Sequence, residues 1–117
     1  MKNANDLLQE FNCTEKYYKH ILSKLLYTDG IHEACTQFQC FWFLDVVFSY
    51  QTPEFNRMNN FQVWRLKRIN KSNTFYVVCT DGNKNKIVQQ EIPFSDFPHD
   101  SLTFFYSDSV CLLPTEY

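Results

Sequence analysis

Glycine is nearly missing from this 117-residue chain: there are two, and neither lies in a glycine-rich run. That is too few for a dinucleotide-binding fold or for a loop that cradles phosphate with backbone N–H groups. Charge of one sign is missing as well. Eleven Lys+Arg against thirteen Asp+Glu leave a formal charge of −2, which excludes a histone-like polycation and an acidic mimic of DNA, since both act through large net charge. No apolar run reaches membrane length. The longest uncharged one, Cys40 to Leu44, stops at Asp45, whereas a span needs about 20 residues. The opening MKNANDLLQEF carries Asp6 and Glu10 before any apolar stretch, unlike a secretory signal, which starts basic and then runs apolar. The expected location is cytoplasmic. Five cysteines (Cys13, Cys35, Cys40, Cys79, Cys111) are an odd number without C-x-x-C spacing. A disulfide scaffold would leave one thiol over, and a zinc site would lack its clustered ligands. Reduced, mostly buried thiols are expected, with no metal and no cofactor. There is no G-x-S-x-G, H-E-x-x-H, phosphate-loop or RNP pattern, so no positive evidence for an enzyme.

What is present suffices for one packed domain over 1–117: 44% of residues are hydrophobic, 18% aromatic and 21% charged, a composition that argues against disorder. Residues 1–51 have a helical period. Asn3 or Asn5 can cap a short amphipathic turn carrying Leu7, Leu8 and Phe11. A second helix is predicted from Asn12 or Thr14, with apolar positions Tyr17/Tyr18, Ile21/Leu22 and Leu25/Leu26 at three- and four-residue spacing, ending at Asp29-Gly30. A third is predicted from about Ile31 to Tyr50, stopping before Thr52-Pro53. Its segment 40–48 is apolar nearly all round, which places it centrally, although a buried strand fits so short a run too. Residues 61–113 change to a period of two. Strands are predicted at Phe61–Ile69, Thr74–Thr80, Lys86–Ile92, Leu102–Tyr106 and Val110–Leu113, with Asp81-Gly82-Asn83 a hairpin signal. The expected class is α+β: N-terminal helices packed on one face of a four- to five-stranded antiparallel β-meander.

Residues 57–71 carry five basic side chains (Arg57, Arg65, Lys67, Arg68, Lys71) and no acid, and 91–117 carry five acids and no Lys or Arg. The basic stretch reads as a phosphate-contacting strand with Phe61 and Trp64 for stacking. The favoured reading, however, is a solvated strand face whose cations discourage edge pairing, with Trp64 in the core. Five charges fall short of the roughly 6–10 phosphate contacts of tight sequence-independent binding. Asp45 is the lone carboxylate of FWFLDVVF; if buried it needs a partner, and as a general acid or base it needs a second converging polar group. His32 and Cys35 share a helix side three residues apart, as a Cys–His pair would, but a core Cys35 and an exposed first-turn His32 are the favoured reading. A dry pocket lined by Trp42, Phe43 and Trp64 would mark a small-ligand domain. With twelve Phe, seven Tyr and two Trp, some aromatic surface should remain exposed for a partner. The proline-bearing loops at 52–60 and 93–101 offer Phe55, Arg57, Phe94 and Phe97, and the basic strand and turn add Arg65, Lys67, Arg68 and Lys71.

Four segments together resemble one family: YYKHILSKLLYTDG (17–30), FWFLDVVFSYQ (41–51), FQVWRLKR (61–68) and EIPFSDFPHDSLTFFYSDSVCLLPTEY (91–117). The matching positions are Tyr18, His20, Leu26 to Gly30, Trp42, Leu44, Asp45, Ser49, Gln51, Phe61, Trp64, Leu66, Asp96 to Pro98, Asp108 and Leu112 to Tyr117. Ser95 and Thr115 depart from the pattern. The resemblance is to small bacterial proteins of chromosomes and mobile elements known only as a domain of unknown function. It implies no agreed activity. Because small mobile-element proteins include inhibitors of bacterial defence, the resemblance implies a non-enzymatic inhibitor, most concretely an anti-CRISPR protein of type VI-B. Its partner would be a CRISPR effector nuclease with its guide RNA. The alternative is a small RNA- or DNA-binding module using 57–71.

Overall fold

In the computed structural model, which describes residues 3–10, 14–21 and 23–117, seven strands form one sheet with three helices, an α+β fold. The strands are β1 (Tyr17–Lys19), β2 (Leu26–Thr28), β3 (Phe61–Arg68), β4 (Phe75–Thr80), β5 (Lys86–Ile92), β6 (Ser101–Ser107) and β7 (Val110–Leu112). The helices are α1 (Asp29–Phe38), α2 (Phe41–Ser49) and α3 (Pro53–Met58), and 3-10 turns run over Ala4–Leu8 and Pro114–Glu116. The order across the sheet is β1-β2-β7-β6-β3-β4-β5. All neighbours are antiparallel except β2 and β7, which run parallel. The sheet is therefore larger than the expected four or five strands and is not a simple meander. After β5 the chain crosses back past β4 and β3 to lay β6 on the far side of β3, with Lys67 opposite Ser101 and Phe61 opposite Ser107.

The strands from Phe61 onward lie where their alternation predicts. In β3, Gln62, Trp64 and Leu66 are fully buried while Arg65 and Lys67 are exposed, the signature of a strand with one face on a core. Asp81-Gly82-Asn83 does turn β4 into β5, Gly82 taking φ +90° while the Asp81 carboxylate accepts from the N–H groups of Asn83 and Asn85.

The first half differs. The helix expected over 12–28 is instead, where described, the β1–β2 hairpin. Tyr17/18, Ile21 and Leu25/26 suit a helix by spacing alone. But Lys24 sits at φ 66°, and the turn closes with His20 N–H donating to Leu25 O at 2.7 Å and Lys24 N–H to His20 O at 2.9 Å. Pairing with β7 outweighs local helix propensity, which is a weak preference per residue. Asp29-Gly30 consequently opens a helix. The Thr28 hydroxyl caps α1 by accepting from Ile31 N–H at 3.2 Å, and Asp29 lies at the positive helix end. The single helix expected over 31–50 is two helices, broken where Gln39 turns left-handed at φ 53°. The 40–48 segment is helical from Phe41 on, not a strand, and Pro53 starts a helix where a loop was expected, with Thr52 as its cap. The Ala4–Leu8 turn is capped by Asn3, as one of the two expected caps, and buries Leu8; Phe11 lies outside the described residues.

The helices cover one face of the sheet. Phe43 of α2 stacks on Phe104 at 4.7 Å, Phe48 meets Tyr106 edge-on, and Tyr50 packs on Trp64 at 5.4 Å. Ile31, Cys35, Leu44 and Val47 are buried beneath them. Beside the free half of β6, Asn5 acts as a strand surrogate: its amide N–H₂ donates to Thr103 O at 2.9 Å and its oxygen accepts Thr103 N–H at 2.6 Å.

Candidate functional site

On the opposite face of the sheet Tyr117 packs on Phe61 and Phe105, while Arg65 and Lys67 meet solvent. Strand alternation divides this face into two zones. At one end the rings of Phe61, Phe105 and Tyr117 form a triangle with centroids 5.2–5.6 Å apart. Gly82 closes against it: a Cβ there would come within 3.1 Å of the Phe61 ring. Tyr17 and Tyr117 are 56% and 72% exposed, and together with Thr14, Thr28, Val110 and Leu112 they edge a shallow hollow of about 300 Å³ or slightly less, 280 Å³. At the other end Arg65 and Lys67 project from β3. Lys67 stands opposite Tyr76 on β4, and Arg65 opposite Val78 on β4 and Thr103 on β6. The basic pair thus sits beside an aromatic ring on an open sheet.

The residues singled out from the sequence divide accordingly. Arg57, Arg65, Lys67 and Lys71 are exposed, and Phe94 is 70% exposed. Phe94 edges a hollow with Trp42, Ile92, Ser95 and Asp96. Phe97 is 2% exposed and packs between Phe38 and Phe75, so it presents nothing to a partner. Phe55 is half-buried against Tyr50. Arg68 is a structural clamp. Its guanidinium donates to the carbonyls of Phe97, His99 and Ser72 at 2.8, 3.1 and 2.6 Å, and its Nε to Asp100 at 3.2 Å. Those bonds hold the loop between β5 and β6 against the β3–β4 turn, and the same group lies 4.7 Å from the Phe75 ring. Trp64 is core, its indole N–H donating to Gln62 at 2.7 Å. Phe43 is fully buried too, so the imagined Trp42–Phe43–Trp64 pocket is filled protein.

The second polar group that Asp45 needed is His20, which spacing could not reveal because 25 residues separate them. Asp45 is on the solvent side of α2, and its Oδ1 lies 2.7 Å from His20 Nε2. Across the ring, His20 Nδ1 is 2.8 Å from Ser23 Oγ and also accepts Ser23 N–H at 3.1 Å. With Nδ1 accepting twice, the proton sits on Nε2 and is donated to Asp45. The cluster is a clasp: the imidazole closes its own turn and ties it to α2. His32 is not exposed as one reading expected. Its ring lies flat on Tyr18 at 4.0 Å, 3° from parallel. Cys35 is core; the neighbouring Cys40 thiol, then burial, push its thiol well up. Burial likewise raises Cys111, and burial followed by the Asp81 charge pushes Cys79 up to about 12. Such thiols are poor nucleophiles. Cys35, Cys40, Cys79 and Cys111 are free and buried. No cluster of three His, Cys, Asp or Glu among the described residues is placed to hold a metal, and no helix among them is long and apolar enough to cross a membrane.

A one-sheet α+β domain with helices on one face and an aromatic–basic surface on the other is the class that fold and site define. Over residues 2–117 the chain belongs to a family of unknown function, DUF6876. No curated protein and no solved structure matches it.

Proposed function

We propose that this chain is a non-enzymatic binding protein that docks through the open face of its sheet. The carrying observation is the adjacency on that face of the Phe61–Phe105–Tyr117 triangle and the Arg65/Lys67 pair. Rigid aromatic rings supply interface anchors at small entropic cost, and arginine is enriched at such anchors. An aromatic zone beside a basic one suits a partner that is part protein and part nucleic acid. The most concrete form is a CRISPR effector nuclease carrying its guide RNA, with this chain as its inhibitor. Supporting the non-enzymatic reading, the His20–Ser23–Asp45 cluster uses its ring to close a turn, and the candidate thiol Cys35 is buried with a raised pKa.

A second reading is direct binding of single-stranded RNA or DNA, favoured by Lys67 opposite Tyr76, a cation beside a stacking surface. The two differ in salt dependence. Arg65, Lys67 and Lys71 allow about three phosphate contacts, hence a log–log slope of about −2 for a single strand and an affinity loss of about twentyfold between 50 and 200 mM salt. The test is affinity capture from a host lysate with and without nuclease, using the wild type, Arg65→Glu/Lys67→Glu and Tyr17→Ala/Tyr117→Ala. Recovery of a nuclease or its guide, lost in the tyrosine variant, is the expected result. Bulk RNA alone, released by nuclease or salt and lost only in the charge variant, would establish the second reading instead.

A further inference from the structure

Where α3 runs into β3 and faces the β6–β7 turn, there is a cavity of about 190 Å³ lined by Asn56, Asn59, Asn60, Tyr106, Asp108 and Ser109. Two of its polar atoms are buried without a hydrogen-bond partner among the described residues: Tyr106 Oη and Asn56 Oδ1. Tyr106 itself is only 2% exposed. Leaving such atoms unpaired is costly, and native proteins satisfy nearly all of them. Burial pushes the Tyr106 hydroxyl up, and the adjacent Ser109 and Asn56 side chains draw it partly back.

The free groups are biased toward accepting. Asn59 donates its amide N–H₂ to Phe55 O at 3.1 Å, which fixes that amide with its oxygen directed away from the bond. Asp108 makes no ion pair with any described residue and brings the only formal charge. The turn that presents it is a left-handed pair, Asp108 at φ 52° and Ser109 at φ 65°. An anion is disfavoured by that carboxylate. A divalent cation asks for more carboxylates than one. The volume is below the 300 Å³ or so of drug-sized sites, yet equals about six waters, room for one long side chain. A planar group with five N–H donors and no acceptor complements this lining best.

We infer that this cavity receives the guanidinium of an arginine on the protein partner. The inference rests on reading the chain as a protein-binding domain and deepens it, since it supplies a charged anchor next to the Tyr17–Tyr117 hollow, whose lining Asp108 shares. The test titrates the full chain with N-acetyl-arginine amide, following the side-chain amide resonances of Asn56, Asn59 and Asn60. The lysine and citrulline analogues serve as comparisons. Saturable shifts are expected for arginine, at least about tenfold weaker for citrulline, which keeps the shape and loses the charge. Asp108→Asn, which a left-handed turn tolerates, should weaken the arginine response about tenfold with the fold intact. Equal responses to arginine and citrulline, an unaltered Asp108→Asn, or no saturable shift up to about 50 mM would overturn the inference and leave a water-filled cavity. Because the probe needs no partner, failure here is distinct from failure of the sheet-face proposal, which the capture experiment reads.

Discussion

Glu116 is the best place to test how the short strands are held. Its Oε1 accepts the Thr28 hydroxyl at 2.6 Å and Leu113 N–H at 2.9 Å, and its Oε2 accepts the Thr14 hydroxyl at 3.1 Å. Thr28 in turn caps α1, so a single carboxylate joins the end of β2, the start of α1 and the segment after β7. Glu116→Ala strands two buried donors, since Thr28 is 1% and Leu113 0% exposed. Each costs about 1–3 kcal/mol when left unpaired. The Thr28 hydroxyl can rotate and Glu116 is only half-buried, which discounts the sum to about 2–4 kcal/mol. In a domain of this size that lowers Tm by roughly 10 °C and the urea midpoint by about 1–2 M. Glu116→Gln keeps one acceptor oxygen for Thr28 and Leu113 and loses the charge and the oxygen that accepts the Thr14 hydroxyl, so it should cost about 1 kcal/mol. Gly30 supplies an internal check. A Cβ there would lie 2.7 Å from Glu116 Oε1 and 2.8 Å from Leu113 Cδ1, so Gly30→Ala should destabilise even though alanine is favoured in a helix by about 1 kcal/mol. In the Glu116→Ala background that penalty should shrink, giving a coupling readable from a double-mutant cycle in urea. If Glu116→Ala cost under about 0.5 kcal/mol, or Glu116→Gln cost as much as alanine, the clamp would be refuted.

Three further outcomes follow from the packing and electrostatics. Leu44→Asp should abolish the cooperative unfolding transition seen by circular dichroism, because Leu44 is 0% exposed and an unpaired charge there costs several kcal/mol. Cys35, Cys40, Cys79 and Cys111 should resist a thiol reagent in the native state and react together in denaturant, because all four are buried; rapid native labelling of any of them would contradict the packing. Asp81 is held below the ordinary carboxylate range by its hydrogen bond from Asn85, then that from Asn83 N–H. Its contribution is therefore present above the unfolded pKa of about 3.9 and lost as pH falls through the lower folded value. Asp81→Asn should thus be less stable than wild type at neutral pH, with the difference closing in acid by urea melts at several pH values.

The parts of the fold legible in the sequence are those where burial alone decides the pattern. From Phe61 on, a sheet with one covered face imposes its period directly, as in Trp64 and Leu66 against Arg65 and Lys67. The hairpin at 17–28 was illegible because its strands are three residues each, too short to show a period of two. Their apolar residues also sit at spacings that fit a helix. The polarity of Asp29-Gly30 was likewise ambiguous: glycine after aspartate suits a helix end, and only the Thr28 cap shows that it is a beginning. For the candidate surface, exposed Arg57, Arg65, Lys67, Lys71 and Phe94 followed from charge and loop position. Phe97 and Arg68 did not, because the loop carrying Phe97 folds inward and Arg68, at the end of β3, bonds to that loop's carbonyls. An arginine bonded to three carbonyls looks the same in sequence as one free to meet phosphate. The Tyr106–Asn56 cavity joins residues 50 positions apart, which no local pattern conveys.

The sheet is held in two different ways, and this bears on how the open face can serve as an interface. β3, β4 and β6 pair along six or seven positions, so backbone ladders fix Arg65, Lys67, Phe61 and Phe105. β1, β2 and β7 pair over two or three, and side chains hold them instead: Glu116 at one end of the hairpin and the His20–Asp45 clasp at its turn. Asn5 replaces the strand that β6 lacks. The basic zone is accordingly the rigid part of the face, and Tyr17 rides on the part with fewer ladder bonds, which opens at lower free energy. Amide exchange should therefore be slowest in β3 and β6 and fastest in β1. A bound partner covering Tyr17 and Tyr117 should slow exchange in β1 and β2 most, whereas a nucleic acid lying on Arg65 and Lys67 should leave them nearly unchanged. Uniform protection across the seven strands of the free protein would show instead that the side-chain clasps are as strong as the ladders.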